Sequence, residues 1–179
     1  MFKVINIDTL PATTWKNGGG LTREIASRKD ARALIWRLSI ADVASDGPFS
    51  RFDGLTRILT VIKGDGIDLH APGDVMRARL ATPLRFSGEL QIEGRLINGP
   101  IRDLNVIFDA TRVAAEVQLV QGPQRIDPER GQTGFLVLAG SVLIDRAPVE
   151  PMSFAFGTQG RIGLGQGAHG LLVTLRPMA

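Results

Sequence analysis

Along most of this chain apolar and polar side chains alternate with a period of two, as they do in strands with one covered face. Residues 2–7 (FKVINI) read as an opening strand that Leu10-Pro11 breaks. Residues 21–26 place Thr22 and Glu24 on one face, with Arg23 and Ile25 on the other. Residues 34–43 set Trp36, Leu38 and Ile40 opposite Arg37, Ser39 and Ala41. After a loop at 49–54, residues 55–62 and 67–70 read as a hairpin around Lys63-Gly64-Asp65-Gly66. Further strands are predicted at 75–80, 84–87, 90–97, 104–108, 135–144, 152–156 and 171–175, and the polar run 27–32 as a loop or one helical turn. The segment 111–120 fits both periods: Val113, Val117 and Val120 have helical spacing, while Val113, Ala115, Val117 and Leu119 alternate. It lacks a helix cap and stops at Gly122-Pro123, which favours a strand. An all-β chain with turn signals roughly every 8–12 residues predicts a barrel or sandwich.

An internal repeat divides the chain. LTVIKG at 59–64 parallels FLVLAG at 135–140, Ile67-Asp68 parallels Ile144-Asp145, and PLRF at 83–86 parallels PMSF at 151–154. The glycines stand 76 positions apart (140 − 64) and the prolines 68 (151 − 83), so the second copy makes the shorter excursion. The expected units are an N-terminal barrel over 1–110, carrying the candidate pocket, and a smaller C-terminal barrel over 111–179, with strands free to exchange between them.

Composition removes several classes of chemistry. A chain without Cys has no disulfide, Cys-ligated zinc, iron–sulfur cluster or thiol nucleophile, and it suits a reducing, cytoplasmic location. The pI near 9.9 reflects a net charge of only +3 in a chain that also lacks Tyr. The basic residues are scattered, so no nucleic-acid partner is expected. No apolar run approaches the ~18 residues of a membrane span, so no membrane partner is expected either. His70 and His169 lie about a hundred residues apart, without the H-x-H pair of a three-His site; no metal and no other cofactor are expected. G-x-S-x-G is absent, and Gly18-Gly19-Gly20 lacks the G-x-G-x-x-G spacing that cradles phosphate.

What remains is a set of polar residues on strands. Three glycines after Trp15 and Asn17 mark a turn or a bare stretch of main chain. Arg57 shares a strand face with Leu59 and Val61, so it either points inward and wants a carboxylate or emerges at a rim beside an Asp. Arg37 with Ser39, and Asp103 with Asn105, pose the same question. Trp15 and Trp36 are candidate walls or plain core.

The runs WKNGGGLTREIA, WRLSIADV, GPFSRFDGLTRIL and RDLNVIFDATR, in this order over most of residues 11–112, resemble the HutD/Ves family. The resemblance implies two fused cupin-like jelly-roll barrels (a bicupin) and an association with histidine utilisation. It also implies that the W-x-N-G-G-G-x-T, W-R-x-S and D-x-N segments contribute to one pocket of the first barrel. Here they are Trp15, Asn17, Thr22, Trp36, Arg37, Ser39, Asp103 and Asn105, joined by Arg57. Guanidinium, amide and hydroxyl groups beside an aromatic wall suit a small anionic ligand. The implied ligand is a carboxylate of histidine breakdown, urocanate or an N-formyl- or formimino-glutamate, and the implied role is accessory or regulatory rather than catalytic. The alternatives are a metal-independent isomerase or hydrolase with Glu24 or Asp103 as base, and an interaction protein with a vestigial pocket. A homodimer is compatible with each.

Overall fold

The computed structural model describes residues 1–31, 33–128 and 131–178. The first strand, β1 (Phe2–Asn6), leads into a single 3₁₀ turn at Ile7–Thr9. Ten strands follow: β2 (Thr13–Thr14), β3 (Gly20–Lys29), β4 (Leu34–Val43), β5 (Gly47–Pro48), β6 (Thr56–Lys63), β7 (Ile67–Ala71), β8 (Asp74–Ala78), β9 (Leu84–Ser87), β10 (Glu93–Leu96) and β11 (Ile101–Phe108). The remainder are β12 (Val113–Gln121), β13 (Gln124–Ile126), β14 (Gln132–Ala139), β15 (Val142–Ile144), β16 (Ala147–Val149), β17 (Ser153–Gly157), β18 (Ile162–Leu164) and β19 (His169–Pro177). Among the described residues no helix is long and apolar enough to cross a membrane.

Residues 11–110 form one compact unit. Its larger sheet has the order β2-β3-β4-β11-β6-β9 and its smaller one β5-β10-β7-β8. Ala41, Val43, Leu59, Val61, Phe86 and Ile101 of the first pack with Ile67, Leu69 and Ala78 of the second. The alternation of β4 and β6 therefore aims their odd-numbered residues into the unit, and the same parity carries Arg37, Ser39 and Arg57 inward. The opposite face is buried as well, with Trp36, Leu38, Ile40, Ile58 and Val106 each at most 4% exposed.

Residues 1–10 join 111–178 in the second unit, so the opening strand pairs with β17 rather than with its neighbours in sequence. Its sheets run β1-β17-β14-β19-β12 and β13-β18-β15-β16, around Phe2, Phe135, Val137, Val142, Ile144, Ala155, Ile162 and Leu164. The ambiguous segment is β12, antiparallel to β19 over its whole length, and no helix forms there.

Two expectations about connections change. The hairpin predicted at 55–70 does not form, because β6 pairs with β11 and β9 whereas β7 pairs with β10 and β8. Gly64 (φ +93°) and Gly66 (φ +122°) turn a corner from one sheet to the other. A Cβ on Gly64 would stand 2.6 Å from the Pro100 carbonyl oxygen. The run 135–144 likewise breaks at Gly140 into β14 and β15, which lie in different sheets. Polar residues 27–29 simply extend β3, and Arg32 lies outside the described residues.

Candidate functional site

Three cross-strand rows line the inner face of the larger sheet in the 11–110 unit. Thr22, Ala41, Asp103 and Val61 form the first; Glu24, Ser39, Asn105 and Leu59 the second; Arg37, Ile107, Arg57 and Phe86 the third. Apolar side chains fill the part of this face occupied by Val43, Val61 and Ile101, while polar ones gather around Arg37, Ser39, Arg57 and Asn105. A single inward stripe thus supplies both the core and the candidate site.

At the mouth lies a cleft of about 670 Å³ with Trp15, Asn17, Thr22, Glu24, Arg37, Phe49 and Phe52 among its walls. It shares Trp15, Thr22, Arg37, Phe49 and Phe52 with an inner chamber of about 50 Å³ that reaches Ser39, Arg57 and Asn105. The glycine segment builds the first wall. The Trp15 indole N–H donates to Thr22 Oγ1 at 2.8 Å, and the Gly19 N–H donates to Asn17 Oδ1 at 3.0 Å. Gly18 adopts φ +72°, and a Cβ on Gly20 would meet the Asp42 carbonyl oxygen at 2.5 Å and the Trp15 ring at 3.2 Å. Spaced glycines therefore seat the indole, while the Gly18 and Gly19 amides are engaged within the turn.

Arg57 lies at the floor and is 5% exposed, which settles its direction as inward. Its Nη2 donates to Asn105 Oδ1 at 2.7 Å, and its Nη1 makes a longer contact to the Ser50 carbonyl oxygen at 3.4 Å. The guanidinium stands over Phe49, Phe52 and Phe86 at 5.3–5.4 Å from each ring centroid, a cation–π enclosure on three sides. Asn105 Nδ2 donates in turn to Asp103 Oδ1, so a relay of Arg57, Asn105 and Asp103 runs along the buried sheet face. Asp103 Oδ2 and Arg57 Nε have no hydrogen-bond partner.

Burial decides the protonation of this relay. It pushes the Asp103 carboxyl up to about 7, against the opposing pull of Arg57 and of the Asn105 hydrogen bond. Burial also lowers Arg57 to about 10, which the Asp103 charge opposes and Arg37 reinforces. Arg57 remains a cation at neutral pH, while Asp103 is divided between acid and carboxylate. Arg37 is lowered too, first by burial, with Glu24 acting in the opposite direction. Its guanidinium stacks on Phe52 at 5.2 Å and makes no hydrogen bond or ion pair among the described residues.

Of the residues expected in the pocket, Trp15, Asn17, Thr22, Arg37, Ser39, Arg57 and Asn105 line the two chambers. Trp36 does not: it occupies the opposite face of β4, as strand alternation requires, and is buried there. Asp103 stands behind Asn105 and does not line the cavity. Phe49, Ser50 and Phe52 were missed. The available signal was a pair of Phe residues three apart in a polar loop between Pro48 and Gly54, since aromatic side chains in a loop need a surface to cover. Phe86 was missed as the partner of Arg57 across β6 and β9.

Cupin barrels are associated with His-rich metal sites, and this donor set does not fit one. The inner chamber presents two guanidinium groups, hydroxyls and an amide, and neither His70 nor His169 lines it. Among the described residues no three His, Asp or Glu side chains converge in a metal-binding cluster.

Comparisons place this arrangement in a family. A family model described as HutD matches residues 8–159. An uncharacterized 21.2 kDa protein in the hutC 3′ region of Pseudomonas putida is 40% identical over 127 residues, 69% of this chain and 67% of the relative. Protein Ves of Escherichia fergusonii is 31% identical over 135 residues, 74% of this chain and 71% of its own. The structure of HutD from Pseudomonas fluorescens SBW25 (formate condition) superposes with a TM-score of 0.88 at 30% identity, over 100% of both chains. A cupin 2 conserved barrel domain protein from Leptotrichia buccalis, 11% identical over 97% of this chain and 96% of its own, has a TM-score of 0.63 and bears on the fold alone. The fold is all-β and cupin-like, and the family together with the hutC-region relative supports a role associated with histidine utilisation. The chain belongs to the HutD family.

Proposed function

We propose that the 11–110 unit binds a small carboxylate without a metal, in an accessory or regulatory role that senses or buffers an intermediate of histidine utilisation. The observation that carries this reading is the Arg37 guanidinium, which lines the cleft and the inner chamber yet has no acid or hydrogen-bond partner of its own. An unpaired cation in a partly desolvated cavity favours an incoming anion, and the planar fork matches a carboxylate. Arg57 adds a second positive charge at the floor, and Thr22 and Ser39 place hydroxyls on the same chamber's walls. Urocanate and the N-formyl and formimino derivatives of glutamate all carry the required group.

The accessory role is favoured over catalysis with Asp103 as base by the position of that acid. Asp103 is fully buried behind Asn105, out of reach of a molecule in the cavity, while Glu24 lines the outer cleft and holds Ser27. Titration calorimetry with urocanate, N-formyl-glutamate and formimino-glutamate tests the reading. At least one should bind saturably, and Arg37→Met should weaken it by about 10–100-fold, the worth of one charge-assisted hydrogen-bonded contact. Saturable binding that Arg37→Met leaves unchanged would refute the assignment.

A further inference from the structure

Besides Arg37, the same cleft is lined by two other ionisable side chains, Lys16 and Glu24. The Glu24 charge is felt by Arg37, yet the two make no ion pair with each other. Two opposite charges in one open cleft ordinarily swing together unless something holds them apart. Here both are held. A β-bulge between Glu24 and Ala26 shifts the register of β3 against β4, and it brings Ser27 opposite Arg37. Ser27 Oγ donates to Glu24 Oε1 at 2.7 Å and ties that carboxylate to its own strand. Arg37 is retained by the Phe52 ring. The second Glu24 oxygen accepts from no group among the described residues.

We propose that the cleft selects amphoteric ligands, small carboxylates that also bear a cationic or N–H-donating group, and that Glu24 makes the selection. This rests on the reading that Arg37 takes the carboxylate. A ligand seated there brings its far end beneath the Glu24 carboxylate, where a positive or N–H group gains a partner and a second anionic group is repelled. Trp15, Phe49 and Phe52 line the same cleft and give it aromatic walls beside a planar or extended linker. A dicarboxylate has the right first end and the wrong second one. An aromatic monocarboxylate without a ring N–H fills the cleft but leaves Glu24 without a partner.

Calorimetry with matched probes tests this at pH 7. Urocanate and cinnamate share a planar acrylate and differ in the ring that carries N–H, and glutarate supplies a second negative end. The parent protein should bind urocanate about tenfold or more tightly than cinnamate, with glutarate the weakest. In Glu24→Gln the urocanate preference should shrink severalfold and glutarate should gain affinity, with little change in Tm because Glu24 is exposed. If Glu24→Gln binds the probes but keeps the parent's order and ratios, the selection is overturned while carboxylate binding stands. Binding of cinnamate as tight as urocanate by the parent overturns it equally. If none of the three probes binds, the selection falls, and the carboxylate reading falls with it when N-formyl- and formimino-glutamate also fail to bind.

Discussion

Replacing Asp103 by Asn reads out the electrostatics beneath the cavity. In the folded chain burial raises this carboxyl from its ordinary 3.8 to about 7. Between those values the unfolded chain has already released the proton and the folded chain has not. Stability therefore falls as pH rises, at 1.36 kcal/mol per pH unit, and levels off above about 7. Across the interval from 3.8 to about 7 the loss is on the order of 4 kcal/mol. The attraction of Arg57 is already contained in that figure, since it holds Asp103 below the value burial alone would impose. Asp103→Asn keeps the side-chain volume and an acceptor for Asn105 Nδ2, but it cannot ionise.

The variant and parent should therefore unfold at similar urea concentrations near pH 4. By pH 8 the variant should be the more stable by a few kcal/mol, with the difference growing steadily between. Urea titrations followed by tryptophan fluorescence at several pH values from 4 to 8 give that difference directly. Two curves that stay parallel over the whole range would show that Asp103 ionises in the folded chain as it does in water, and the buried relay would need another explanation.

Two further outcomes follow from named contacts. Gly20→Ala should lose roughly 1–3 kcal/mol of stability and disturb the Trp15 fluorescence, because the added Cβ meets the Asp42 carbonyl oxygen at 2.5 Å; a silent variant would mean that the indole is not seated on that glycine. Arg57→Met removes the cation that offsets ionised Asp103, so by comparative urea unfolding it should cost about 2 kcal/mol more at pH 8 than at pH 5. Equal losses at the two pH values would uncouple Arg57 from Asp103.

Strand alternation made much of the site legible. In residues 34–43 and 55–62 it separates Trp36 from Arg37, and it puts Arg57 on the Leu59–Val61 face, which is where these side chains lie. The family motif drew Trp36 into the pocket against that alternation, and the backbone period prevailed. Connections were less legible than faces. Lys63-Gly64-Asp65-Gly66 signals a sharp change of direction, but turn chemistry does not tell whether the chain returns along the same sheet or crosses to the facing one. The clue lay in β6 itself, apolar on both faces at Ile58, Leu59 and Val61, which suits a strand with a neighbour on either side better than half of a lone hairpin. The aromatic enclosure of Arg57 was hidden for another reason: Phe49 and Phe52 come from a loop, where no period exists to show which way a side chain points.

The second unit shows which parts of the inner face the fold itself requires. Arg57 precedes Gly64 by seven positions (64 − 57), and Thr133 precedes Gly140 by seven (140 − 133). With these matched, the pairings of β4-β11-β6-β9 correspond to those of β12-β19-β14-β17. The proline correspondence suggested by the sequence fails in this register, which matches Pro83 to Phe154 rather than to Pro151. Apolar inward positions persist, with Leu59 answering to Phe135 and Val61 to Val137, each fully buried. The buried relay does not: Arg57 answers to Thr133, Asn105 to Leu172 and Asp103 to Gly170, while Arg37 and Ser39 answer to Glu116 and Gln118, which keep polarity but not the positive charge. Leu172 packs against its unit's core from the position that Asn105 holds in the relay. One sheet thus folds with a buried acid, amide and guanidinium in line, and its counterpart folds with glycine, leucine and threonine. Burying that charged line opposes stability unless something offsets it. The second unit also has a cavity there, about 130 Å³ and lined by Glu116, Gln118, Thr133 and Leu172, so the buried charged line is a property of the first cavity and not a requirement of the fold.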